Sequence, residues 1–269
     1  MSKPVILWVL ATVLTMATAV YQRMTGPTYA LSGTTWFDDA LITYRFERSH
    51  GGTSGAPVSV MTDESGVRGA VLWKRFKSHD DWQKLALNRE GVALTAVLPP
   101  QPPAGKLLYQ VHLERNDATM LFPPEPVVIR YKGEVPLWIL ISHVIAMFGA
   151  MLFSSRTGLE YFSPRSSFDR LLRWTLGFLF VGGLILGPLV QLYAFDAWWT
   201  GWPFGTDLTD NKTAFAFLVW VGAVIAHRRS QHPGRWILAA SVVMFVVYLI
   251  PHSLFGSELD FTSAADPGG

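Results

Sequence analysis

Two hydrophobic patterns divide the chain. Residues 5–21, 137–153, 174–195, 213–226 and 236–250 are almost continuously apolar, whereas apolar positions between 24 and 134 come in short runs that alternate with polar ones. An α-helix rises 1.5 Å per residue, so about 20 apolar residues cross a hydrocarbon core roughly 30 Å thick. The long runs therefore predict five membrane-spanning helices. The runs at 213–226 and 236–250 are short, but Thr209 or Asp210 is placed to cap the first, and residues 251–255 extend the second toward the interface. The first run, residues 1–23, reads as a signal-anchor helix. Ala17-Thr18-Ala19 also fits the small-x-small pattern of a signal-peptidase site.

The period-two region predicts a β domain. Ile42, Tyr44 and Phe46 alternate with Thr43, Arg45 and Glu47; Leu107, Tyr109, Val111 and Leu113 with Lys106, Gln110, His112 and Glu114; and Val127, Ile129 and Tyr131 with Val128, Arg130 and Lys132, so that one face of each is apolar and the other largely polar. Further runs at 58–61, 67–76, 85–87 and 92–98 bring the expectation to about seven short strands separated by Gly, Pro, Ser and Asp turns, the pattern of a sandwich.

The stretch Leu98-Pro-Pro-Gln-Pro-Pro-Ala-Gly-Lys-Leu-Leu-Tyr109-Gln-Val111 resembles the corner that enters the sixth strand of fibronectin type III and related immunoglobulin-like domains. The resemblance covers residues 24–134 only. It implies a two-sheet sandwich in which the Tyr109 hydroxyl bonds back to the corner backbone; it implies no ligand, because such folds carry many functions. The Cys pair of true immunoglobulin domains is absent.

Composition agrees with a membrane protein. Half of the 269 residues are apolar and only 16% are charged, against about a quarter in soluble domains. There is no cysteine, which excludes disulfides, Cys-ligated zinc, iron–sulfur clusters and a cysteine nucleophile. The net charge of +2 gives no reason to expect a nucleic-acid partner. Basic residues set the orientation: the connections 154–173 and 227–235 carry seven arginines, while 196–211 carries no Lys or Arg. By the positive-inside tendency the arginine-bearing turns and the N-terminus are cytoplasmic. The β domain and the tail at 256–269 are then extracytoplasmic, in the periplasm of a bacterial-type cell. Trp138, Trp198, Trp199 and Trp202 mark the outer interface, and Trp174 and Trp236 the inner one.

Candidate chemistry collects at the outer helix ends. His143 and Gln191 lie inside apolar runs, with Asp196, Asp207, Asp210, Asn211, Lys212, His252, Glu258 and Asp260 in adjoining segments. Asp207, Asp210, His252, Glu258 and His143 supply oxygen and nitrogen donors suited to a divalent metal, although no spacing matches a metal motif and the leading expectation is no cofactor. A second reading gives His143 and His252 to a haem or copper. In a third, Asp210 caps a helix, Lys212 pairs with an acid, and His143 and Gln191 bond between helices. The Gly/Pro-interleaved aromatics Trp198, Trp199, Trp202 and Phe204 suit docking of a lipid, a quinone or a partner subunit. Gly183-x-x-x-Gly187 marks close helix packing. Gly51-Gly-Thr-Ser-Gly55 has neither phosphate-loop nor nucleophile-elbow spacing, and no catalytic residue is assigned. The expectation is a five-span membrane protein with an inserted immunoglobulin-like sandwich. It is a non-catalytic accessory, assembly or scaffolding subunit whose partners are the lipid bilayer and other membrane proteins. The alternative is a metal-, redox- or ion-handling protein.

Overall fold

Ten strands in residues 31–132 build two five-stranded sheets. The strands are β1 (Leu31–Phe37), β2 (Ala40–Phe46), β3 (Ser49–Gly51), β4 (Ala56–Met61), β5 (Arg68–Arg75), β6 (Gln83–Ala86), β7 (Asn88–Glu90), β8 (Ala93–Leu98), β9 (Lys106–Arg115) and β10 (Ala118–Lys132). One sheet has the order β1-β2-β4-β8-β7 and the other β3-β10-β9-β5-β6, with every pair antiparallel except β3 beside β10. The computed structural model describes residues 3–163, 167–251, 256 and 258–262, in two compact units. The helical unit comprises residues 1–27 and 135–256, and the sheet unit residues 28–134 and 257–269.

Alternation decides which side chains face the sheet unit's core. Ile42 and Phe46 of β2, Leu107, Tyr109, Val111 and Leu113 of β9, and Val127, Ile129 and Tyr131 of β10 are all buried there. In β10 the ladder with β9 breaks between Phe122 and Val127, where three prolines remove backbone donors. Gln110 compensates, its Nε2 donating to the carbonyls of Pro123 (2.8 Å) and Pro124 (3.2 Å).

The corner bond differs from the expectation. Tyr109 Oη donates to Glu47 O at 2.8 Å, and it is Tyr131 that bonds back to the Pro-rich corner, donating to Pro99 O at 3.0 Å. Tyr109 points toward the loop after β2, so the neighbouring strand's tyrosine is the one within reach of the corner. Burial raises both phenols, Tyr131 to about 12. A folded tyrosine that keeps its proton while the unfolded one ionises near 10 stabilises the fold below pH 10. That stability is lost as pH rises from about 10 through 12. Tyr131→Phe is expected to lower sheet-unit stability by about 1 kcal/mol at neutral pH and to weaken the alkaline loss. Thermal unfolding measured from pH 8 to 12 checks both; an unchanged alkaline slope contradicts the assignment.

The helical unit contains α1 (Lys3–Thr25), α2 (Leu137–Leu159) with a 3-10 turn to Phe162, α3 (Asp169–Leu179), a π turn (Phe180–Leu186) running into α4 (Gly187–Phe195), α5 (Leu208–Arg229) and α6 (Pro233–Leu249). Because α3, the π turn and α4 are continuous, these make five helices. Four are long and apolar enough to cross a membrane: Pro4–Thr25, Leu137–Phe162, Asp169–Phe195 and Leu208–Arg229; α6 is apolar but has 17 residues. Every helix runs past its apolar run at one end or both, and two of these extensions are built on buried polar residues. Asp207 Oδ1 accepts from Thr209 N (2.7 Å) and Asp210 N (3.4 Å), so α5 begins at Leu208 and its cap is Asp207, not Thr209 or Asp210. The other is in α2, which continues through Ser154–Gly158, all buried.

Small residues let these helices approach. Ala150, Ala216, Ala223 and Ala240 are buried around Trp220, whose Nε1 donates to Met244 Sδ at 3.0 Å. A Cβ on Gly183 would lie 2.6 Å from Thr213 Cγ2 of α5, and one on Gly182 would lie 3.0 Å from Ala146 Cβ of α2. A Cβ on Gly187 would lie 3.8 Å from His143 Cε1. The N-terminal helix packs with the rest: Trp8 meets Phe153 edge-on at 5.4 Å, and Gln22 donates to the carbonyls of Tyr248 and Ile250 at the end of α6.

Candidate functional site

At one end of the helical unit, the loop 196–207 is fastened to the first turn of α5. Asp210 Oδ2 accepts from the backbone N–H of Thr200 (2.7 Å) and Gly201 (3.0 Å), and Asn211 Oδ1 accepts from Trp202 N (2.7 Å). Gln191 of α4 adds a donor to Thr200 Oγ1 at 2.5 Å. These bonds take up the backbone donors of Thr200, Gly201 and Trp202, of which Gly201 is buried. They fix the aromatics: Trp199 Nε1 donates to Trp202 O, while Trp198, Trp202 and Phe204 project outward, Trp202 with 79% and Phe204 with 82% of their surface exposed. Lys212 is buried and donates to Ile250 O at 2.7 Å, so it satisfies a carbonyl at the C-terminus of α6.

The five residues considered for a metal have separate engagements. Asp207 caps α5 and Asp210 holds the loop. His143 Nδ1 bonds Gly182 O at 3.0 Å. Glu258 belongs to the sheet unit, where it pairs with Lys77 and Lys106; burial raises its carboxyl, but the hydrogen bonds from Lys106 and Lys77 outweigh that and hold it below its ordinary value. His252 lies outside the described residues. Among the described residues, no group of three or more His, Asp or Glu side chains is placed to hold a metal.

At the other end of α2 is a polar cluster that the apolar pattern did not single out. Ser154, Ser155, Arg156, Thr157, Glu160 and Thr175 are all buried. Arg156 Nη1 donates to Glu160 Oε2 at 2.6 Å, Ser167 N donates to Glu160 Oε1 at 3.1 Å, and the Thr157 and Thr175 hydroxyls meet at 3.1 Å. The Arg156 guanidinium also lies over Trp8, 5.6 Å from the ring centroid. Arg156 was counted as a loop charge in setting orientation; it is instead half of an internal ion pair. The sequence signal was present in its i, i+4 acid, Glu160.

The helical cluster thus offers neutralised charges and backbone caps, and the loop offers exposed aromatics on a backbone held by Asp210 and Asn211. No protein-family model matches this chain, and no curated protein shows significant similarity to it.

Proposed function

We propose that this chain is a non-catalytic integral membrane protein, an accessory, assembly or scaffolding subunit that binds membrane-protein partners through its sandwich and its Trp-rich loop. In this reading all five helices cross the inner membrane of a bacterial-type cell. The N-terminus and arginine-bearing turns are cytoplasmic, and the sheet domain and tail are extracytoplasmic. Support for the crossing comes from the four long apolar helices and from the shorter apolar α6. Support for an immunoglobulin-like sandwich comes from the two five-stranded sheets and from a tyrosine hydroxyl bonded to the Pro-rich corner.

The observation that carries the scaffolding reading is the exposure of Trp202 and Phe204 on a loop held by Asp210 and Asn211. Large aromatics on a backbone already held in place lose less conformational freedom on binding than those on a free loop, so they serve as interface anchors. Truncating such an anchor typically costs at least about 2 kcal/mol of binding, roughly 30-fold in affinity. The test is a native mass spectrum of the protein extracted in mild detergent from its own host. The unaltered chain is expected to carry additional subunits, and the Trp202→Ala/Phe204→Ala chain to lose them with an unchanged unfolding midpoint. A lone chain in both spectra, or a chain bearing a metal- or haem-sized increment, overturns the reading.

A further inference from the structure

A cavity of about 300 Å³ lies in the helical unit between α1, α2, α4 and α6, with Thr15, Gln22, His143, Met147, Val190 and Tyr248 among its lining. Its volume is about twice that of an apolar cavity able to hold benzene. It therefore has room for the head and first carbons of an amphiphile. Leu140, Val144 and Phe148 also line it and are 39–40% exposed. With α2 in a bilayer, the cavity is then reached from the hydrocarbon, not from water.

Its polarity is one-sided. Thr15 Oγ1 donates to Ala11 O (2.8 Å), Tyr248 Oη donates to Met147 O (2.8 Å), and Gln22 Nε2 donates to Tyr248 O (2.9 Å) and Ile250 O (3.2 Å). His143 Nδ1 bonds Gly182 O at 3.0 Å. Carbonyl oxygens only accept, so each assignment is forced, including the orientation of the Gln22 amide and the placement of the imidazole proton on Nδ1. That carbonyl is presented by the π turn. Gly187 N bonds Gly182 O five residues back, and Pro188, which has no N–H, follows.

The donors of all four polar side chains are therefore engaged with backbone. What they still offer is lone pairs: Oε1 of Gln22, the hydroxyl oxygens of Thr15 and Tyr248, and Nε2 of His143, whose ring shares this lining with no Asp or Glu that would hold a second proton. We infer that this cavity binds a lipid-soluble molecule with a hydroxyl head, which donates to His143 Nε2 while its tail lies along Val144, Met147 and Phe148. Heads that only accept, such as ketones, ethers, carboxylates and phosphate diesters, would meet lone pairs with lone pairs.

This inference rests on the membrane placement proposed above, and the test separates the two. The full-length chain is reconstituted in phosphatidylcholine vesicles and photolabelled with a diazirine-bearing alkanol. An unlabelled alkanol, a 4-alkylphenol and the methyl ether of that phenol compete, and labelled sites are mapped by peptide mass spectrometry. Labelling is expected on α2 and α4 near His143 and Val190, with the ether competing about tenfold more weakly than the phenol, the difference one net hydrogen bond makes. His143→Phe is expected to abolish that preference. Val190→Trp, which fills the cavity, is expected to abolish the labelling and serves if His143→Phe does not fold. Stronger competition by the phenol or by the alkanol tells whether the head is aromatic or aliphatic. Equal competition by phenol and ether, or label elsewhere on a chain that resists alkaline extraction, overturns the cavity assignment alone. A chain that alkali strips from the vesicles overturns the membrane placement and the cavity assignment with it.

Discussion

Glu160→Ala is expected to lower the stability of the helical unit by about 3–5 kcal/mol, the range for breaking a buried ion pair by removing one partner. The carboxylate accepts from Arg156 Nη1 and from Ser167 N, and both side chains of the pair are 7% exposed. With Glu160 gone, the guanidinium keeps only the face of Trp8 as compensation, worth about 2 kcal/mol at most when desolvated. Arg156 Nε has no hydrogen-bond partner among the described residues even in the intact pair. Replacing both residues, as Arg156→Met/Glu160→Leu, removes the charge along with its partner. The double variant is expected to be at least about 2 kcal/mol more stable than Glu160→Ala. Equilibrium unfolding in detergent micelles checks the pair of values; a double variant no more stable than Glu160→Ala would show that the two side chains are not coupled.

Asp210→Ala is expected to cost about 3 kcal/mol and to free the aromatic loop. The loss is large because one carboxylate oxygen serves two backbone donors, Thr200 N and Gly201 N, the latter on a buried residue. Each stranded donor costs about 1–3 kcal/mol. The loop backbone approaches α5 closely here, since a Cβ on Gly201 would lie 2.7 Å from Asp210 Cβ. Asp210→Asn keeps an acceptor oxygen at the same place and is expected to lose only about 1 kcal/mol. Hydrogen exchange at Thr200 and Gly201 reads the effect directly: fast exchange in the Ala variant, near-native protection in the Asn variant. Equal protection in all three would remove Asp210 from its role as the fastener of the loop.

Much of the fold was legible because burial wrote itself into residue period. Ile42 and Phe46 alternate with polar residues because one sheet face is buried, and the helices of α2 and α4 show as apolar runs. Three strands escaped for the complementary reason. β1 buries only Phe37, β7 buries nothing, and β3 is three residues long, so none carries an alternating signal. Helix ends were misjudged wherever polar residues are buried by pairing instead of exposed. Ser154–Gly158 and Leu208–Lys212 look like loop to a hydropathy window, yet the first belongs to α2 and the second is the opening turn of α5. The same limit applies to the site. His143 stood out as a polar residue in an apolar run, but its partner is a carbonyl presented by a π turn 39 residues on. Asp210 stood out as an acid at a helix start, but its bonds to Thr200 and Gly201 depend on how the intervening loop folds back.

The pairing of Glu258 with Lys77 and Lys106 sets an order of events during synthesis. Strands β5 and β9 bracket these lysines and leave the ribosome long before residue 258. At about 5–20 residues per second, the roughly 120 residues between the last strand and Glu258 occupy about 6–24 s. Through that interval the sheet domain carries two lysines without their acid. Leu259 N and Phe261 N, which bond Ala104 O and Lys77 O, arrive only after α6 has been made. The domain is therefore completed by the segment that follows α6, so that its finished form reports that the helices from α1 to α6 have been produced.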